Sequence, residues 1–274
     1  MVRIISVCSG KGGVGKTVVT ANLGVALQKF YKKVAVIDFN FTTSHLSLCF
    51  DMYSHPTTLN SFLRNEARLE NAIYSHPSGL KIVPASLQLK HITNVDVNNL
   101  KNTFKKVFSD YDIVFLDSAP GLGREALIAL QASDEVLFVA NPHIPSLVDI
   151  EKCKQVINML ESKPMPIGVI VNRVKNKNYE IKMDEIRQFT ELPIIGIIPE
   201  DEDVLAGFNR KSLVTFSKKK SSASKAFFRI AAKLVGERHE YSFFDKAFNT
   251  LEYSFNYAFH GKFKLCSNDG LFFL

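Results

Sequence analysis

The chain has 274 residues, 46% apolar and 22% charged, which excludes wholesale disorder and suits one large α/β domain with an appendage or two small domains. Its formal charge of +7 points to an anionic partner (nucleotide, nucleic acid or lipid) without choosing among them. With no apolar run of about 18–20 residues, no basic-then-apolar leader and four scattered cysteines (Cys8, Cys49, Cys153, Cys266), a reduced cytoplasmic protein is expected rather than a disulfide scaffold, zinc ribbon or cysteine-bound cluster.

In chain order the pattern predicts a strand over 3–8, a glycine-rich loop, a helix over 17–30 and strands over 34–38 and 80–84. A helix over 97–108, a strand over 113–117, a helix over 124–131 and a strand over 135–140 follow, then a helix over 146–160 and a strand over 167–172. The series closes with a helix over 184–189, a strand over 194–198 and a helix over 223–235. That last helix places Phe227, Ile230, Ala231 and Leu234 on one face, with Gly236 as its C-cap. The strands are rich in Val, Ile and Phe with little polar alternation, as strands buried on both faces are. The fold class is therefore α/β, a mostly parallel central sheet with helices on both faces. Composition shifts after Gly236: residues 237–274 hold 11 of the 30 Phe and Tyr residues. The domains are thus read as 1–236 and an aromatic-rich tail, 237–274.

The sharpest motif is Gly10-Lys11-Gly12-Gly13-Val14-Gly15-Lys16-Thr17, which fits G-x-x-x-x-G-K-[ST] between a strand and a helix. Glycines at this spacing let backbone N–H groups converge on phosphate oxygens, and the helix N-terminus adds its positive dipole end. Lys16 can reach the β- and γ-phosphates, and the Thr17 hydroxyl can bind Mg2+. Gly10, Lys11, Gly12, Gly13, Val14, Gly15, Lys16, Thr17 and Val18 form the expected phosphate-binding set.

Lys11 is a second lysine that an ordinary phosphate loop does not need. Lys-Gly-Gly-Val-Gly-Lys-Thr resembles the deviant Walker A motif of the MinD/ParA family, in which this lysine reaches across an ATP-sandwich dimer. The resemblance spans residues 1 to about 236 and rests on further segments. Val36-Ile37-Asp38-Phe39-Asn40 sits where the family has its D-x-D switch I, and the run Phe115 to Gly123 resembles its Walker B and switch II. Asn172-Arg173 after one strand and Pro199-Glu200-Asp201 after another resemble the family's adenine-recognition positions. Thr42-Thr43-Ser44-His45-Leu46, Gly123-Arg124-Glu125-Ala126-Leu127 and Asn141-Pro142 resemble archaeal MinD-like ATPases most. The resemblance implies a P-loop ATPase that binds ATP and Mg2+ and dimerises with ATP. Lys11, Lys16, Asp38, Asn40 and Asp117 would serve catalysis, and Thr17, Asp38 and Asp117 the metal.

Several of these residues have second readings. Asp38 at a strand end can cap the next turn. Asp117 follows four apolar residues, where a carboxylate is costly to bury without a cation. Asn172 and Arg173 can be plain loop residues, and Pro199-Glu200-Asp201 suits the first turn of a helix. Asn40 departs from the family's usual Asp. An amide can accept a hydrogen bond from water but is a poor base, so hydrolysis is expected to be slow or to need an activating protein partner.

In the tail, residues 241–260 spell a helix. Phe244, Ala247, Phe248, Leu251, Phe255, Ala258 and Phe259 fall within about 60° of one line. Such a stripe suits a membrane interface, as the C-terminal helix of MinD proteins does by resemblance, giving a peripheral location at the inner face of the membrane. It equally suits packing on its own domain or dimer, or a partner's groove. Arg210, Lys211, Lys218, Lys219, Lys220, Lys225, Arg229 and Lys233 gather within 24 residues and can face lipid head groups or, as in ParA-type ATPases, DNA. The leading expectation is a MinD-like spatial switch for division-site or cell-surface positioning. The alternatives are a ParA-like partitioning ATPase on DNA and, less favoured, a P-loop tyrosine kinase using Tyr241, Tyr253 or Tyr257.

Overall fold

A computed structural model describes residues 1–41, 44–53, 55–86, 97–218 and 220–237. Thr42, Thr43, Lys219 and the predicted helix at 241–260 lie outside the described residues. Eight strands form one sheet: β1 Arg3–Cys8, β2 Val34–Phe39, β3 Tyr74–Ser75, β4 Lys81–Val83, β5 Ile113–Ser118, β6 Glu135–Ala140, β7 Met165–Val174 and β8 Ile194–Pro199. Their order across the sheet is β3-β4-β2-β5-β1-β6-β7-β8. All neighbours run parallel except the short edge strand β3, which pairs antiparallel to β4. The apolar runs VAVIDF of β2 and IVFLDS of β5 are buried along their whole length, as strands covered on both faces must be.

The helices are α1 Lys16–Gln28, α2 Leu59–Leu63, α3 Val97–Val107, α4 Arg124–Gln131, α5 Ile144–Met159, α6 Met183–Thr190, α7 Glu202–Asn209, α8 Val214–Ser217 and α9 Ser222–Leu234. One core gathers Ile4, Ile37, Val114 and Leu116 from the strands with Phe104 and Phe108 from α3 and its end. A second joins Val136, Phe138, Val169 and Val171 to Leu147 and Ile150 of α5 and Ile186 of α6. α1 is covered by α9 and packs on β2 and β5, so Val19, Leu23 and Leu27 have no exposure. Burying such side chains is worth about 1.5–3 kcal/mol each, which fixes the helix that carries the phosphate loop.

The expected α/β architecture holds, with boundary shifts that have local causes. The helix expected at 146–160 starts at Ile144, because Pro145 is pre-organised for a first turn. The helix expected at 17–30 stops at Gln28, and Tyr31 takes a left-handed φ of 54°. α2, α8 and β3 were not foreseen, being too short to carry a clear period, and α7 follows the helix start that Pro199-Glu200-Asp201 also suited.

Candidate functional site

The C-terminal ends of β1, β2, β5, β6 and β7 line one edge of the sheet, where open parallel sheets bind ligands. β1 ends at Cys8 and α1 opens at Lys16, so residues 9–15 form the loop between them. Gly13 and Gly15 have φ of 84° and 92°, which side-chain-bearing residues rarely adopt. A Cβ on Gly15 would also collide with the Asn172 amide, and one on Gly10 with Asp149 of α5. Two further bonds shape the loop: Ser9 Oγ donates to Lys11 O at 3.1 Å, and Gly121 N to Ser9 O at 3.1 Å. Lys11 itself is exposed on the loop, while Thr17 and Val18 open α1 half-buried.

Beneath the loop lies a buried charge cluster. Lys16 Nζ donates to Asp117 Oδ1 at 2.8 Å, with 6% and 1% exposure on the two side chains. Thr20 Oγ1, one turn into α1, donates to Lys16 O at 2.9 Å and approaches Asp117 Oδ1 at 3.3 Å. Asp117 Oδ2 is buried with no hydrogen-bond partner among the described residues. An orphaned carboxylate oxygen of this kind is costly unless a cation or an ordered water completes it.

Asp38 stands opposite Asp117 in the β2–β5 register and is fully buried. Its Oδ1 accepts from Asn40 N at 2.9 Å, and its Oδ2 from Ser44 Oγ at 2.6 Å and Leu46 N at 3.3 Å. Burial and the Asp117 carboxylate push its pKa up to about 7, against the Ser44 and Asn40 hydrogen bonds and the Lys16 cation. Asp38 therefore does cap the loop that follows β2, and does so from a position facing the charge cluster. Phe41 N donates to Glu125 Oε2 at 3.0 Å, tying this loop to the first turn of α4. Asn40 is buried beside it.

The two expected adenine segments divide. Arg173 takes a left-handed φ of 59° where the β7–β8 register slips; it is exposed, yet its Nε lies 3.8 Å from where a Cβ on Gly15 would sit, while Asn172 is buried. Asn172 Nδ2 donates to Val14 O at 2.7 Å, so this side chain meets the phosphate loop. Glu200 pairs with Lys175 at 2.8 Å across two exposed loops. Asp201 is the N-cap of α7: its Oδ1 accepts from Asp203 N at 2.9 Å. Its Oδ2 accepts from Ser222 Oγ at 2.7 Å and Ala223 N at 2.9 Å, at the start of α9. Thr20 and Asp149 were not foreseen as parts of the site and had no sequence signal; Ser44 and Asn141 stood in segments that carry the family resemblance, with no role assigned to either.

The donor set suits a nucleotide with Mg2+. A glycine loop at a helix N-terminus, a buried lysine, a hydroxyl and two carboxylates are what Mg2+ and phosphates use, since Mg2+ takes one or two protein carboxylates and fills its shell with phosphate and water. A parallel sheet with this loop at the C-terminal end of β1 defines a P-loop nucleotide-binding protein. The chain belongs to the CobQ/CobB/MinD/ParA nucleotide-binding domain family, whose model matches residues 5–214. It is 37% identical over 242 residues to an uncharacterized ATP-binding protein of Methanocaldococcus jannaschii, covering 88% of this chain and 90% of that one. Among solved structures, the cell division ATPase MinD of Pyrococcus furiosus superposes with a TM-score of 0.80 at 32% identity, covering 86% of this chain and 99% of that one. The septum site-determining protein MinD of Pyrococcus horikoshii, complexed with Mg-ADP, gives 0.79 at 32% identity, covering 85% and 96%. Among the described residues no helix is long and apolar enough to cross a membrane.

Proposed function

We propose that this chain is an ATPase that works as a dimerising spatial switch of the MinD kind. The observation that carries the reading is the buried Lys16–Asp117 pair with an orphaned Asp117 Oδ2 directly under the glycine loop. The loop N–H groups and Lys16 would hold the phosphates of ATP, with Lys16 exchanging its carboxylate partner for phosphate oxygens. Mg2+, held by Thr17 and Asp117 with Asp38 behind, would neutralise charge on the transferring phosphoryl group. Water attacks the γ-phosphorus in line; a new P–O bond forms as the bond to the bridging oxygen breaks, giving ADP and phosphate. Asp38 and Asn40 orient that water. Asn40 supplies an acceptor but no charge, so turnover is slow until a partner protein completes the site.

Lys11 is exposed on the loop, and a second copy is what it would reach. ATP would then control dimerisation, and the dimer would present two tails together at a membrane surface. Grip on DNA through the basic cluster is less favoured, because part of that cluster is spent within the chain. Lys211 lies over Tyr53 at 4.4 Å and near Asp51 at 3.6 Å, and Lys233 Nζ donates to Ile194 O at 2.9 Å.

Calorimetry with MgATP and light scattering on the full chain test the reading. Lys16→Ala is expected to abolish ATP binding. Lys11→Ala is expected to bind ATP and remain monomeric; a Lys11→Ala protein that still dimerises with ATP removes Lys11 from the dimer.

A further inference from the structure

Val14 lies between two glycines with left-handed φ, so the Val14–Gly15 peptide is free to flip at little cost unless something holds it. Two amides hold it. β6 lies between β1 and β7, and Ala140 at its end is level with Val171, which brings Asn141 beside Asn172 and under the loop. With the Asn141 amide assigned so that its NH2, rather than its oxygen, faces these two carbonyls, it donates to Asn172 O at 3.2 Å and to Val14 O at 3.3 Å. Asn172 Nδ2 donates to the same Val14 oxygen at 2.7 Å. In a planar trans peptide the C=O and the following N–H point in opposite directions. Two donors that draw the Val14 carbonyl toward the sheet therefore turn the Gly15 N–H away from it, to the side where the loop receives a phosphate.

We propose that Asn141 is a positioning residue of the nucleotide site: together with Asn172 it locks the Val14–Gly15 peptide so that the Gly15 N–H is presented to phosphate. Without the lock, a flipped peptide would present a carbonyl oxygen to the anion instead of a donor. The proposal rests on the nucleotide-binding reading above. It assigns the effect to the phosphate end of the ligand, whichever groups contact the base.

The test uses the full chain with Mg2+ and three probes: ADP, inorganic pyrophosphate and adenosine. Asn141→Ala is expected to weaken ADP and pyrophosphate by the same factor, about tenfold, as loss of one hydrogen bond at an anion site does, and to leave adenosine unchanged. Asn141→Asp is nearly the same size but sets a carboxylate against two carbonyl oxygens, so it is expected to bind both phosphates more weakly than Asn141→Ala. Asn172→Ala added to Asn141→Ala should cost pyrophosphate less than the product of the single losses, since both side chains serve one peptide. A packing role predicts the reverse order, Asp tolerated better than Ala, and that result overturns the lock. So does unchanged pyrophosphate affinity in both variants. A wild-type chain that binds neither ADP nor pyrophosphate overturns the nucleotide reading itself.

Discussion

At the scale of single residues, the site is a problem of charge held out of water. Lys16, Asp38 and Asp117 bring one cation and two carboxylates into a region with almost no exposure. Lys16 is committed to Asp117, and Asp38 is left to hold its proton up to about pH 7. The sign of the linkage follows. The folded pKa of Asp38 lies above the unfolded value near 3.9, so its contribution to stability is fully present below about pH 4 and is lost as pH rises through about 7. Asp38→Asn removes that titration while its amide oxygen still accepts from Asn40 N, and the Ser44 hydroxyl can reverse its bond. In nucleotide-free protein, the midpoint of thermal unfolding of the variant relative to wild type is expected to climb by about 5 °C between pH 5 and pH 8. A difference independent of pH would mean that Asp38 is ionised throughout. At the next position but one, Asn40→Asp puts a carboxylate in place of the amide. Single-turnover phosphate release at saturating MgATP is expected to rise by about tenfold or more, and an unchanged rate would clear Asn40 of limiting hydrolysis.

At the scale of elements, what could be read from the sequence was what burial writes into it. β2 and β5 are uninterrupted apolar runs ended by a carboxylate, so both the strands and the position of Asp38 and Asp117 at their ends could be anticipated. The glycine loop was legible because its chemistry demands a fixed spacing. Short elements were not: β3 has two residues and α8 four, too few for a period to emerge. Polar contacts made across the fold were also hidden, because nothing local marks Asn141 as a donor to Val14 or Ser44 as a donor to Asp38. Asp201 shows how one residue can carry two readings. The acidic first turn expected there exists, and the same carboxylate also holds the start of α9 through Ser222 and Ala223. Burial would raise its pKa, but bonds from Ala223, Ser222 and Asp203 outweigh it and hold the group below its ordinary value. Asp201→Ala is expected to lower stability by about 1–2 kcal/mol in chemical denaturation, as loss of a helix cap does, with ADP affinity changed less than about twofold. A large loss of ADP affinity at unchanged stability would return Asp201 to the base pocket.

At the scale of the whole molecule, the question is what a change of nucleotide does to location. The tail carries four Lys or Arg against five Asp or Glu, so under the proposed switch its attraction to an anionic surface would rest on the predicted aromatic stripe more than on charge. One such anchor would bind weakly and reversibly. Two anchors joined in a dimer make the second insertion intramolecular, and the overall gain can reach about 10²–10⁴ over one tail without any new contact. The transition between loose and firm attachment would then follow the ATP-bound dimer. Co-sedimentation of the full chain with anionic vesicles is expected to need ATP and to fail with ADP. Phe248→Asp with Phe255→Asp should abolish pelleting while leaving ATP binding and dimerisation intact, because both substitutions fall on the stripe that the sequence predicts and outside residues 5–214 matched by the nucleotide-binding family. Lys11→Ala should also abolish pelleting, for the opposite reason: its tail is unaltered but each molecule offers only one. If Lys11→Ala pellets as wild type does, a single tail is anchor enough and nucleotide does not set location through dimerisation. If the double Phe variant pellets as wild type does, the stripe is not the anchor, and Lys218, Lys220 and Lys225 become the surface to neutralise next.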